Sequence, residues 1–227
     1  MQDFLPWLNS LRPAEMCFCE RTLDGFPKHP ADTWSNIGPL IAGIAILWVS
    51  RGRPAPVRAI GVASVVTALC SALFHASNAY VGEVLDLAGM YAFILSCAAT
   101  QVYRHRWAGS LTSAIGGFVI AGGFTALAAA FTWAKSPLFA VVLLAVVVVE
   151  IFDPAVKHYR SAYAALAWLA GAFAFWVLDY SHVMCDPDNH WLTGHGLWHL
   201  MNGPAFWFTY KQFDQSLRDR AAALARA

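Results

Sequence analysis

Five side chains in this chain are of types that could do chemistry together: Ser71, His75, Asp86, His195 and His199. Ser71 and His75 stand four residues apart at the end of one apolar run, CSALFHASN. His195 and His199 stand four apart at the head of another, TGHGLWHLMNG. In a helix that spacing puts both members of a pair on one face. Asp86 lies about one turn inside a third run, GEVLDLAGM. Three imidazoles are a ligand set for zinc that keeps a fourth position for water. Zinc brings the pKa of such a water to roughly 7. Asp86 is then the candidate to take the proton or orient the water. Ser71 is the candidate to hydrogen-bond a developing oxyanion. Each residue also has a plainer use. A histidine in an apolar helix can bond across to a neighbour, Ser71 can serve helix packing, and Asp86 can bond a backbone group or a Trp. Paired histidines can also hold haem.

The elements that must position these residues are membrane helices. The 227 residues are 58% hydrophobic and 13% charged, against about 25% charged in ordinary soluble domains. The excess falls into runs of roughly twenty residues, the length that crosses a bilayer. Seven are predicted: 34–50, 56–77, 83–103, 109–132, 136–152, 160–180 and 194–213. The expected fold is an all-α integral membrane bundle of seven transmembrane helices. It divides into an extramembrane segment 1–33, a membrane domain 34–213 and a basic tail 214–227. The first 32 residues, with Asp3, Glu15, Glu20, Asp24 and Asp32, contain no apolar core of a signal peptide. The tail is either an amphipathic helix on the membrane surface or the solvated end of the last span.

Charge gives the expected sidedness. One set of joints holds Arg51, Arg53, Arg58, Arg104, Arg106, Lys157, Arg160, Lys211, Arg218, Arg220 and Arg226. The other holds only Arg12, Arg21, Lys28 and Lys135. The C-terminus is therefore expected in the cytoplasm, and the N-terminus on the outer side, periplasmic or lumenal. With that topology the second span ends outside while the third and seventh begin there. All five chemical residues then share one depth near the outer surface. Net charge is +1 and no basic stripe points to nucleic acid. Cys17, Cys19 and Cys185 fall on the outer side, where oxidising conditions permit a bridge; three free thiols are the alternative.

The ordered set S71-x-x-x-H75, Asp86 and H195-x-x-x-H199 resembles the alkaline ceramidase family. That family belongs to a superfamily of seven-helix membrane zinc hydrolases that also includes the adiponectin receptors. SALFHAS with VLDLAGMY, FWVLDY followed by Cys185, GHGLWHL, and CERTLDG with DTWSN resemble its ordered segments, over about residues 17–205. The resemblance implies zinc held by His75, His195 and His199, with Asp86 and Ser71 at the reacting centre. It implies hydrolysis of ceramide, or a related N-acyl lipid, to a sphingoid base and a fatty acid. It favours a Cys19–Cys185 disulfide, leaving Cys17 free. It also implies an N-terminal calcium site, for which Glu20 and Asp32 stand at matching places and Asp24 is a third candidate. Cys17 and Thr22 stand where the family usually carries Asp and Asn, so a solvated acidic loop is the other reading of this segment.

Asp179, at the outer end of the sixth span, is expected to make a structural hydrogen bond. His182 and His190, in the exposed loop, are assigned no role. The resulting expectation is a zinc-dependent amidase acting on a membrane lipid. The alternatives are a receptor-like bundle with structural zinc, distinguished by Asp86 as a fourth ligand, and a haem protein.

Overall fold

The computed structural model describes residues 11–156 and 158–225. Asp3, Lys157 and Arg226, counted above, lie outside the described residues. The described chain is helical: α1 Pro30–Trp34, α2 Ile37–Val49, α3 Ala55–Ser77, α4 Tyr80–Arg104, α5 Ser110–Ala130, α6 Lys135–Phe152, α7 Arg160–Tyr180 and α8 Gly194–Leu224. Among the described residues the β-type pairing is one isolated bridge, Pro13 to Ala79. Five segments are long and apolar enough to cross a membrane: α3, α4, α5, α7, and α6 with the short turn before it. Their outward faces are apolar, as with Ile115 and Val119 on α5, Val141 and Leu144 on α6, and Phe173 and Val177 on α7.

Two of the seven expected spans depart from the pattern. The first, expected over 34–50, is shortened to α2, with the single turn of α1 standing before it. The Asp32 carbonyl, which a continuous helix would pair with the Asn36 amide, instead accepts from Ser35 Oγ at 3.1 Å and Asn36 Nδ2 at 2.8 Å. Such local side-chain bonds compete with helix propagation. Pro39 removes a further donor from the next turn. The 13 residues of α2 reach only about 20 Å, less than a bilayer core of about 30 Å. The last span is long enough, at 31 residues, but carries histidine, asparagine, glutamine and charged positions along its length. It continues through the expected tail to Leu224, with Asp214, Ser216 and Leu217 buried.

The helices pack through small residues. A methyl group on Gly203 of α8 would lie 2.7 Å from the Gly38 carbonyl oxygen. One on Gly89 of α4 would lie 2.7 Å from Thr67 Cα on α3. Only glycine lets these backbones approach so closely. The apolar core runs through Ile46, Val57, Ile60, Tyr91, Phe93 and Phe213.

Polar residues gather at both ends of this core. At the end where α4 and α6 finish, buried Arg104 donates to both Glu150 oxygens, at 3.2 and 2.9 Å, to Asp153 and to Ser216 Oγ at 2.7 Å. His105 reaches Asp153 at 2.6 Å, and Gln101 and Gln212 approach Glu150. Nearby, Asp214 of α8 pairs with Arg53 and Arg218. At the other end Lys135 bridges Glu83 and Glu15, at 2.7 and 2.9 Å, and Glu15 also pairs with Arg12, holding the N-terminal segment to α4 and α6.

Removing one partner of a buried ionic group strands the others. Arg104→Met should therefore destabilise the folded protein by about 3–5 kcal/mol, read as a lowered thermal unfolding midpoint in detergent. An unchanged midpoint would show that the network contributes no net stability.

Candidate metal centre

The chemical residues meet because three helix ends lie together. His75 is in the last turn of α3, Asp86 in the second turn of α4, and His195 and His199 in the first turns of α8. The start of α8 is fixed by two capping groups. Thr193 Oγ1 accepts the Gly196 amide at 2.8 Å, an N-cap bond of the kind usually worth about 1 kcal/mol. Asp179, at the end of α7, accepts the His195 amide at 3.0 Å and the Cys19 amide at 2.9 Å on its two oxygens. Its role is the structural one expected. It orients His195 and at the same time draws the N-terminal segment over the site.

His75, His195 and His199 each present one ring nitrogen, and these atoms lie within 4.8 Å of one another. His75 Nε2 and His195 Nε2 are 3.2 Å apart. Two nitrogens about 2.0–2.1 Å from one tetrahedral zinc are separated by about 3.3 Å. His199 turns Nδ1 toward Ser35 Oγ, 2.9 Å away, and the Asp32 carbonyl. Because Ser35 Oγ donates to that same carbonyl, it can accept the His199 Nδ1 proton, leaving Nε2 as a ligand. The Asn36 amide also approaches Nδ1, at 3.3 Å, and would favour the opposite tautomer; its shorter bond is to the Asp32 carbonyl.

The donor set fits a borderline cation such as zinc. The rings are almost fully buried, at 0, 3 and 4% exposure, and the Nδ1 atoms of His75 and His195 have no hydrogen-bond partner. The Nε2 atoms of His75 and His195 face each other, and lone pairs turned on one another in a buried place are stabilised by a cation between them. Phe18 stacks on the His195 ring with centroids 3.6 Å apart and excludes water from that side.

Ser71 and Asp86 also reach this site. Ser71 Oγ lies 3.4 Å from His199 Nε2 and donates to the Asp86 carboxylate. Asp86 is half-buried and is not a member of the close ligand group. It therefore touches the cluster through Ser71 instead of completing it as a fourth ligand.

The expected disulfide is present: Cys19 is bonded to Cys185, while Cys17, Cys70 and Cys97 are free. The three calcium candidates are not gathered into one ligand group. Glu20 accepts the Ala31 and Asp32 amides, both at 3.0 Å, and so caps α1. Asp32 is fully buried and accepts the Thr193 hydroxyl at 2.5 Å. Asp24 is exposed. Burial pushes the Asp32 carboxyl well above the usual carboxylate range, with the Thr193 hydroxyl pulling the other way. A nearby cation would favour its ionised form.

Sequence reading passed over several residues that the structure places here. His190 is not incidental: its Nδ1 contacts Glu20 at 2.9 Å. His29 is buried and, with Asp32 and His75, forms a second group of close ligand atoms. Ser35 and Phe18 carried no spacing signal, because they reach the centre from segments distant in the chain from the histidines, and Asn36 stood in the DTWSN segment without a role at the centre.

His195→Ala and His199→Ala should each reduce retained zinc from about one ion per chain to a small fraction of that, by elemental analysis of the purified protein after dialysis. Full retention in either variant would remove that ring from the ligand set. No family model matches this chain, and no curated protein matches it in sequence.

Proposed function

We propose that this protein is an integral membrane zinc-dependent amidase that hydrolyses ceramide or a related N-acyl lipid to an amine and a fatty acid. The observation that carries the reading is the convergence of three inward-facing imidazoles with a serine–aspartate pair at one end of an apolar helical bundle. The ordered resemblance to alkaline ceramidases agrees with it. His75, His195 and His199 would hold a zinc ion, which would supply Lewis acidity toward an amide carbonyl and a water molecule.

The chain's own groups carry the rest. Asp86 is the base: a carboxylate oxygen takes a proton from the attacking water and later gives it to the departing amine nitrogen. Ser71 holds Asp86 by hydrogen bond in the resting site, and its single hydroxyl hydrogen is available to the carbonyl oxygen as charge develops there. Asp86 is half-buried where the imidazoles are buried, so the scissile amide approaches from the Asp86 side. The apolar faces of α3 and α4 beside it, with Leu69, Leu73 and Leu85 exposed, suit an acyl chain.

The seven-span arrangement belongs to this reading. On α2, Ile37, Ile41, Ile44 and Trp48 form one exposed apolar stripe, as a lipid-facing helix requires. On α8 many of the polar positions that lower its hydropathy point inward, to the metal centre and the Arg104 network. The disulfide lies at the histidine end, supporting an outer, oxidising location for that end and a cytoplasmic one for the basic end.

One observation favours a second reading, a receptor-like bundle with structural zinc: the rings are buried and Phe18 covers His195. The position of Asp86 outside the ligand group weighs against a closed four-ligand site. A haem site gains nothing from rings that converge on one point instead of facing each other across a plane.

Incubating the zinc-loaded protein with a short panel of ceramides and other N-acyl lipids, with released fatty acid measured by mass, tests the function. Asp86→Ala should abolish turnover while zinc content is kept, and Ser71→Ala should lower kcat by about 10²–10³-fold. Zinc bound stoichiometrically with no lipid cleaved would favour the structural reading.

A further inference from the structure

We propose that Asp32 is the positioning carboxylate of the metal centre, accepting the Nδ1 proton of His75 and so keeping the Nε2 lone pair of that ring turned toward His195 and the cation. The proposal rests on the metal-binding part of the reading above and is independent of whether the protein is a hydrolase. It gives Asp32 a role different from that of a calcium ligand.

Three side chains carry the argument. His29 Nδ1, Asp32 Oδ2 and His75 Nδ1 are all buried and all without a hydrogen-bond partner. The same three residues bring ligand atoms within 4.8 Å of one another, and His75 Nδ1 lies 3.8 Å from Asp32 Oδ2. Buried polar atoms left unpaired in one place call for one another.

The surrounding bonds fix who donates. Asn78 Nδ2 donates to Thr22 Oγ1 at 3.3 Å, so the Thr22 hydroxyl hydrogen is free to point at His29 Nε2, 2.8 Å away. His29 then carries its own proton on Nδ1, on the side of Asp32. On the opposite flank, Thr193 Oγ1 accepts the Gly196 amide and gives its hydrogen to Asp32 Oδ1. One hydrogen bond thus reaches Asp32 from Thr193, and the His29 ring lies near it as a second donor. The oxygen left over, Oδ2, has His75 Nδ1 as its near partner. Asp32 also presents its carbonyl to His199, so one residue reaches two of the three rings. A carboxylate behind a metal-binding imidazole fixes its tautomer and raises its basicity.

The test is zinc affinity of the full-length protein in detergent, by competition with a chromophoric chelator. Asp32→Asn keeps the size of the side chain and an acceptor for Thr193. It can present an amide donor to His75 Nδ1, which favours the wrong tautomer. Zinc binding should weaken about 10–100-fold with helical circular dichroism unchanged. Asp24→Asn removes an exposed carboxylate of the same N-terminal segment that belongs to neither ligand group, and should leave zinc affinity close to wild type. If Asp32→Asn binds zinc as tightly as wild type, or if both variants weaken it equally, the proposal is overturned. Two zinc ions per wild-type chain, falling to one in His29→Ala, would also overturn it, by making the three residues a second cation site. A wild-type protein that takes up no zinc would instead overturn the metal-binding reading beneath it.

Discussion

A carboxylate buried at the end of α7 holds together the parts from which the histidine cluster is built. Asp179 accepts one amide from the N-terminal segment and one from the first turn of α8. Apolar surroundings make an unpaired carboxylate costly, so these two segments are drawn to the same point. His195 follows directly, because its own backbone amide is one of the two donors. Phe18 follows as well, since it precedes Cys19 and so comes to lie on the His195 ring. The disulfide closes the same junction covalently.

The same requirement shapes the rest of the bundle. Polar groups cannot lie unpaired among apolar helices, and here they are collected at two ends with an apolar core between them. Ser216, in the Arg104 network, lies about 30 Å along α8 from His195, about the depth of a bilayer core. At one end opposite charges pair directly, Arg104 with Glu150 and Asp153, and Arg104 Nε is left without a partner. The other end is a cluster of imidazoles that hold no opposite charge within the close ligand group. Paired charges rigidify; converging lone pairs leave room for a cation. That contrast distinguishes the structural end of the molecule from the chemical one.

Much of the fold was legible in the sequence, and the reason is physical. Apolar runs of about twenty residues report their own solvent, so the limits of α3, α4, α6 and α7 agree with the expected spans to within a few residues. The i, i+4 pairs also carried through, because helical periodicity is local. The first and last spans were less legible. Splitting α1 from α2 depends on which donors reach the Asp32 carbonyl, and the continuation of α8 beyond residue 213 depends on partners on α4 and α6. Glu20 and Asp32 looked alike as acidic ligands, yet one caps a helix and the other lies buried among histidines.

By itself the sequence determined a helical chain with segments long and apolar enough to cross a membrane, and two face-sharing pairs of residues, since these follow from local hydropathy and periodicity. Only the tertiary structure decided that rings 120 residues apart meet at 3.2 Å, that Asp86 is reached through Ser71, and that His29 and Asp32 stand behind His75. Those relations depend on which helix ends come together. That is settled by glycine contacts and buried hydrogen bonds between segments, whose partners are distant in the chain and leave no periodic trace in it.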